Sequence, residues 1–189
     1  MTLLGRSRVI LGSWICSVAF GIDTLCCMGI RWIPGHPVPG SIPVRQVYGI
    51  LYDRLGRVLL QDDGGRYNLP GGTPEPADAD LPGTLARECM EESQVRVSDA
   101  VPVGYQLVEE DGEVYAQVRM AALIRELCPV AADPCTGRAY RRLMVAPLRA
   151  PGLLGWGPRG EAQLAAATAL AGERWGLALA PGAPQEYVD

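Results

Sequence analysis

Apolar and polar positions alternate in short runs through the middle of the chain. Val44-Arg-Gln-Val-Tyr-Gly-Ile-Leu-Tyr52 and Arg57-Val-Leu-Leu-Gln61 have the period of strands and predict a hairpin around a turn at Asp53 to Gly56. A Gly-rich turn at Asp62 to Gly65 leads into Tyr67-Asn-Leu-Pro-Gly-Gly72, and an acidic loop runs on to Asp80. From Leu81 to Ser93 the spacing becomes helical: Leu85, Cys89 and Met90 form an apolar stripe, Asp80 can cap the first turn, and Pro82 is tolerated there. Two β-rich runs, Pro102 to Val108 and Val114 to Arg125, flank the turn Glu109-Glu-Asp-Gly112 and predict an antiparallel pair. Arg138 to Val145 reads as another strand, Pro147 to Gly160 as a loop, and Glu161 to Leu177 as a helix with Leu164, Ala167, Ala171 and Trp175 on its core face. Strands, helix, strands, helix in this order predict an α/β (α+β) layered domain, a mixed sheet with helices outside it.

The first 43 residues stand apart from this pattern. Arg6 and Arg8 precede the uncharged run Val9 to Ile22, and Asp23 interrupts before a second apolar run from Thr24 to Ile30. A secretory signal would account for the basic start and the small residues Ser17 and Ala19. A membrane anchor would have to place Asp23 in the bilayer, at about 2.5 to 3.5 kcal/mol. Neither is favoured, so the segment is expected to be a helical flap, a dimer element, or an over-long start with Met28 as the alternative first residue. Pro34-Gly-His-Pro-Val-Pro-Gly-Ser-Ile-Pro43 has too many prolines for a helix or a central strand and reads as a linker. The expected organisation is an extension and linker at 1–43, separable from the rest, a domain at 44–180, and a tail at 181–189.

Composition removes several chemistries. All 17 basic residues are arginine and His36 is the only histidine, which excludes a phosphate-loop lysine, a Schiff-base lysine and a two-histidine zinc site. Lysine-free, Ala/Gly/Pro/Arg-rich usage fits a GC-rich bacterial genome. A net charge of -4 offers no basic face for nucleic acid, so no nucleic-acid partner is expected. The six cysteines make no Cys-x-x-Cys pair and read as reduced, packed side chains of a cytoplasmic protein.

The chemically informative stretch is Leu69-Pro-Gly-Gly72 followed by Arg87-Glu-Cys-Met-Glu-Glu92. On a helix, Glu88, Glu91 and Glu92 are three and four positions apart and share one face. Their mutual repulsion reverses sign around a divalent cation, and magnesium suits a set of hard oxygen ligands. An ordinary solvated helix face is the bland alternative, but an Arg-Glu-x-x-Glu-Glu string arises by chance only roughly once in 400 chains of this size.

From Leu69 to Val95 the chain resembles the Nudix box, Gly, five residues, Glu, seven residues, Arg-Glu-apolar-x-Glu-Glu-x-Gly-apolar. The order of elements from about Val44 to Leu179 is similar to that family's fold. The resemblance implies an αβα sandwich, a divalent metal (Mg2+, with Mn2+ as the alternative), and hydrolysis of the diphosphate linkage in a small-molecule nucleoside diphosphate derivative. It implies that Glu88, Glu91 and Glu92 bind metal and provide the base, that Arg87 orients them, and that the Gly72 carbonyl is a main-chain metal ligand. A regulatory or nucleotide-binding domain on the same fold, with little hydrolysis, is the alternative, and a homodimer is compatible with either.

Two departures stand out. The first acidic position is Asp78 rather than Glu, with eight residues between it and Arg87, so Asp80 and Glu75 are its competitors. The extra residue is expected to be absorbed between Thr73 and Leu81, leaving the helix register intact. Gln94 replaces the glycine after the helix, and the helix is expected to end differently there. Outside the box, Glu109, Glu110, Asp111, Glu113 and Glu126 are candidate further acids. Arg66, Arg119, Arg138, Arg141 and Arg142 are candidate phosphate holders, and Tyr67 and Trp156 candidate base-stacking residues, each against a simpler surface or packing role.

Overall fold

The computed structural model describes residues 9–11, 14–16, 28–134, 137–178 and 182–188. Three strands come first, β1 (Val9–Leu11), β2 (Trp14–Cys16) and β3 (Met28–Pro34), then β4 (Val44–Tyr52), β5 (Val58–Asp63), β6 (Arg66–Asn68) and β7 (Gly71–Gly72). Helix α1 (Leu81–Ser93) precedes the long hairpin β8 (Val95–Glu110) and β9 (Glu113–Leu127). The chain closes with β10 (Arg141–Val145), α2 (Ala150–Leu154), α3 (Gly157–Trp175) and β11 (Glu186–Tyr187). The strands join one sheet in the order β1-β2-β3-β8-β9-β4-β5-β10-β11, with β6 beside β5 and β7 beside β4. Strands β4 and β9 run parallel and the other described pairings are antiparallel, which makes the sheet mixed.

Alternation along the central strands sorts the core into two layers. Val47, Leu51, Leu59 and Met144 pack with Leu85 and Cys89 of α1. Ile50, Tyr52, Val58, Leu60, Leu143 and Val145 face the other way, onto Leu164, Ala167 and Ala171 of α3. A helix on each face of a mixed sheet is the αβα arrangement that the resemblance implies, and it agrees with the layered domain expected from the order of elements.

Four local readings change. Residues 28–34 are not helical: β3 pairs with β8 from Gly29↔Glu109 to Pro34↔Gly104, so the sheet begins upstream of Val44. Trp32 reaches the α3 core and Ile33 the α1 core, and Pro34 is accommodated as the last residue of the strand. Strands at Val9–Leu11 and Trp14–Cys16 likewise stand where a helical flap was expected; the rest of residues 1–27 lies outside the described residues. The stretch 147–160 contains α2 and the start of α3, because Pro151 and Pro158 occupy first-turn positions where their missing N–H costs nothing. At the other end, β11 pairs with β10, Tyr187 donates its hydroxyl to Asp62 Oδ2 at 2.6 Å, and the region read as a tail supplies an edge strand. Arg142 is fully buried and donates to the carbonyls of Cys128 and Val188 at 2.8 and 3.0 Å.

Helix α1 starts and stops where its sequence says. Asp80 Oδ1 accepts from the Gly83 N–H at 2.8 Å and Pro82 sits in the first turn. Its end is left-handed after all, with Gln94 at φ 49° and ψ 47° in the position a glycine would favour. The Gln94 side chain offsets this strain by donating from Nε2 to the Glu91 carbonyl at 2.9 Å and accepting from the Ala131 N–H at 3.1 Å. Gln94→Ala keeps the strain and loses both bonds, so a destabilisation of about 1–2 kcal/mol is expected in urea unfolding.

Candidate active site

Pro70 and the two glycines that follow lie against β4. Gly49 N–H donates to the Pro70 carbonyl, and Gly71 and Gly72 pair with Tyr48 and Val47. Gly71 has φ +151° and its Cα faces the Val47 carbonyl so closely that a Cβ would overlap it. A Cβ on Gly72 would strike the Glu88 carboxylate. The absence of both side chains lets backbone and carboxylate meet, so Gly72→Ala is expected to displace Glu88 and lower turnover about tenfold without unfolding the chain.

Arg87 is the hub of the acidic cluster. It grips Asp78 with two bonds, Nε to Oδ1 at 3.0 Å and Nη2 to Oδ2 at 3.1 Å, and donates to the Thr73 carbonyl at 2.9 Å. Its Nη1 lies 2.9 Å from Glu91 Oε2 and 3.0 Å from Glu88 Oε1. Asp78 therefore occupies the guanidinium-facing position: Asp80 caps the helix, and Glu75 lies further out at 3.6 Å. Helix α1 runs without a break from Leu81 through Arg87 and Glu92 to Ser93. The Arg87 bonds hold the Asp78 carboxyl well below its ordinary range. A depressed folded value contributes stability that is complete above the unfolded value near 3.8 and is lost as pH falls below it. Asp78→Asn is accordingly expected to flatten the acid limb of a pH-dependent unfolding profile.

Glu92 is held from the other side. Its Oε2 accepts from the Gly71 N–H at 3.0 Å and from Gln61 Nε2 at 2.8 Å. Burial raises the Glu92 carboxyl above its ordinary range, opposed by those two bonds and reinforced by the charges of Asp133 and Glu91. Burial also raises Glu88, against the lowering effect of Arg87 and with a further rise from Glu92. Two carboxylates with raised values side by side against a glycine backbone are poised to accept a cation or a proton. Among the described residues, no three His, Cys, Asp or Glu side chains are already gathered into a cation cage. The donors nonetheless fit a hard divalent ion in kind: carboxylate oxygens of Glu88 and Glu92 on one helix face, next to backbone that no Cβ shields.

Gln61 and Asp133 belong to this neighbourhood and escape a reading of the sequence. Gln61 ends an apolar run, and its polarity alone does not point to Glu92. Asp133 is buried in a Pro/Ala-rich stretch with no periodic pattern to place it. Three of the candidate loop acids are engaged elsewhere, with Glu110 accepting from Tyr115, Glu113 paired with Arg45, and Glu126 with Arg96. Of the arginines, Arg142 braces carbonyls and Arg141 lies over the Tyr187 ring. Arg66, Tyr67 and Arg138 line a cleft of about 280 Å³ with Glu92.

A family model described as NUDIX domain matches residues 43–128. A NUDIX hydrolase from Nitrosomonas europaea is similar in structure, with a TM-score of 0.51 at 18% identity over 75% of this chain and 99% of that one. The E. coli ORF135 protein gives 0.50 at 23% identity, over 73% and 98%. A mutant of the Bacillus subtilis pyrophosphohydrolase BsRppH gives 0.47 at 23% identity over 54% of this chain, which spans 63% of that protein's length. Among curated proteins, none matches. Among the described residues, no helix is long and apolar enough to cross a membrane. Residues 43–128 therefore match a NUDIX domain, in a chain whose fold is similar to that of a solved NUDIX hydrolase.

Proposed function

We propose that the chain is a metal-dependent hydrolase of a diphosphate linkage in a nucleoside diphosphate derivative, acting in the cytoplasm on a small molecule. The observation that carries this reading is the pair Glu88 and Glu92, both raised by burial and pressed against Gly71–Gly72, with Arg87 and Asp78 bracing the same helix face. Glu88, Glu92 and the Gly72 backbone would hold the ion, with Glu91 beside them. Bound there, Mg2+ or Mn2+ supplies charge neutralisation for the phosphates and acidifies a coordinated water.

The chain's own groups do the rest. Arg87 holds Glu88 and Glu91 at fixed orientations, since a planar fork restricts a carboxylate where a flexible ammonium would not. A carboxylate of this face that the ion leaves free accepts the proton of the attacking water. Gln61 and the Gly71 N–H fix Glu92 so that it keeps its place while the charge around it changes.

Hydrolysis of a panel of nucleoside diphosphate derivatives, followed by phosphate-ester products with and without Mg2+, tests the reading. Turnover that EDTA abolishes and Mg2+ restores supports it. The absence of a preformed acid cage among the described residues, and the engagement of both Glu88 and Glu91 by Arg87, favour a second reading, a nucleotide-binding domain. Nucleotide binding with no hydrolysis under any metal would establish that reading instead.

A further inference from the structure

The acidic cluster accounts for a diphosphate but not for what the diphosphate carries. On the α3 side of the sheet a cavity of about 360 Å³ is lined by Tyr48, Gln106, Gln117, Arg119 and Trp156. It adjoins the acidic face by two routes. Asn68 lines both this cavity and the cleft that contains Glu92. Tyr48 is paired with Gly71 in the sheet and feels the charges of Glu92 and Glu88. A ligand whose phosphates lie at Glu88 and Glu92 has this cavity within reach for its remaining part.

Arg119 is 3% exposed, and no carboxylate pairs with it among the described residues. Its guanidinium lies over the rings of Tyr48 and Trp156, at 4.6 and 5.1 Å from their centroids. Nε donates to Gln163 Oε1 and Nη2 to Gln106 Oε1, both at 2.8 Å. Nη1 has no hydrogen-bond partner among the described residues. A buried donor is rarely left unpaired, and this one is open to an acceptor that enters the cavity.

The hydrogen-bond inventory narrows that acceptor. Arginine only donates, so Gln106 must present its oxygen to Arg119 and keeps its NH2 for other partners. Asn68 likewise accepts the Leu69 N–H through Oδ1 at 2.9 Å, leaving its NH2. No Asp or Glu lines the cavity, and its wall offers both kinds of group: the NH2 groups of Gln106 and Asn68 beside Arg119, and the oxygens of Gln117 and Tyr48, whose donors are spent on Gln46. Arginine grips phosphate or carboxylate with a fork of parallel N–H groups from two nitrogens. Here Nε and one N–H of Nη2 are engaged by glutamine oxygens, and the N–H groups of Nη1 remain to meet an acceptor such as a carbonyl oxygen. Tyr48 and Trp156 add the flat apolar surface that a planar heterocycle needs.

We propose that this cavity reads the nucleobase of the substrate, and that Arg119 Nη1 selects an oxo base, guanine or uracil, over the amino-bearing adenine or cytosine. The diphosphate reading above supplies only the placement of the phosphates. Guanine O6 and uracil O4 are acceptors where adenine N6 and cytosine N4 are donors. An amino group at that point faces a donor with a donor and leaves both unpaired.

Equilibrium binding of GDP, UDP, ADP and CDP to the full chain in EDTA tests this without requiring catalysis. GDP and UDP are expected to bind at least about tenfold tighter than ADP and CDP, respectively, and Arg119→Gln to bring each pair within about threefold. Equal binding of the four by the unmodified chain overturns the proposal, as does a folded Arg119→Gln that keeps the preference. Should that variant fail to fold by circular dichroism, the unmodified chain's panel still decides. Displacement of GDP by inorganic phosphate or ribose 5-phosphate as effectively as by guanosine would make the cavity an anion site and also overturn the proposal. Base preference without hydrolysis supports this inference while sinking the hydrolase reading, and hydrolysis without base preference does the reverse.

Discussion

Glu92→Gln is expected to lower metal-dependent turnover by about a hundredfold or more while leaving the fold in place. The substitution preserves shape, and the amide oxygen still accepts from the Gly71 N–H, so the contact that fixes the side chain to β7 survives. What disappears is the charge, and with it one of the two carboxylates that burial holds poised for a cation or a proton. Glu91→Gln is expected to cost less, because its carboxylate is already engaged by Arg87, whereas Glu92 is the one that the Gly71 N–H holds. Steady-state kinetics across a Mg2+ titration, with urea unfolding of each variant, checks both. Unchanged turnover in both variants would make the cluster an ordinary solvated face.

A chain beginning at Ile42 is expected to lose about 3 kcal/mol of stability, a drop in Tm of roughly 6–12 °C for a protein of this size. The cause is β3. Its removal takes Trp32 out of the α3 core and Ile33 out of the α1 core, and strips the Ile30 carbonyl from Arg159 Nη1, which donates to it at 3.1 Å. It also uncovers the backbone of β8 from Gly104 to Glu109, an open edge that invites pairing with a second molecule. Thermal melts and sedimentation of the shortened chain measure the two effects. A melt within a degree or two of the full chain, with no self-association, would restore the view that everything before Val44 is separable.

The sequence was most legible where local rules and tertiary demands agree. Helix α1 runs from its Asp80 cap to Ser93 as its pattern predicts, because capping, the tolerated Pro82 and the Leu85/Cys89 stripe all point the same way. The hairpin of β8 and β9 is visible from its turn, although both strands run longer than their apolar alternation suggests. Strand β3 was hidden because its pairing partner, β8, lies about 75 residues downstream and the prolines that follow it read as a reason to stop. Within the site, Glu88, Glu91, Glu92 and Arg87 could be placed on one side of one helix by arithmetic. Gln61, Asp133 and the wall of Tyr48 and Arg119 could not, since each arrives from a different strand or loop. Gln94 shows the converse: a local rule favoured glycine, and two side-chain hydrogen bonds made another residue serviceable.

The way Gly71 is seated against the Val47 carbonyl, and Glu92 against Gln61, has a bearing on portability. A peptide of residues 69–95 would contain every position of the signature and still lack the surface that bends Gly71 to φ +151° and the amide that pins Glu92. Grafted onto another scaffold, the same letters would offer a helix with three acids and a floppy pair of glycines. The signature behaves less like a cassette than like one half of a mould whose other half is β4 and β5, and transplantation would have to carry both.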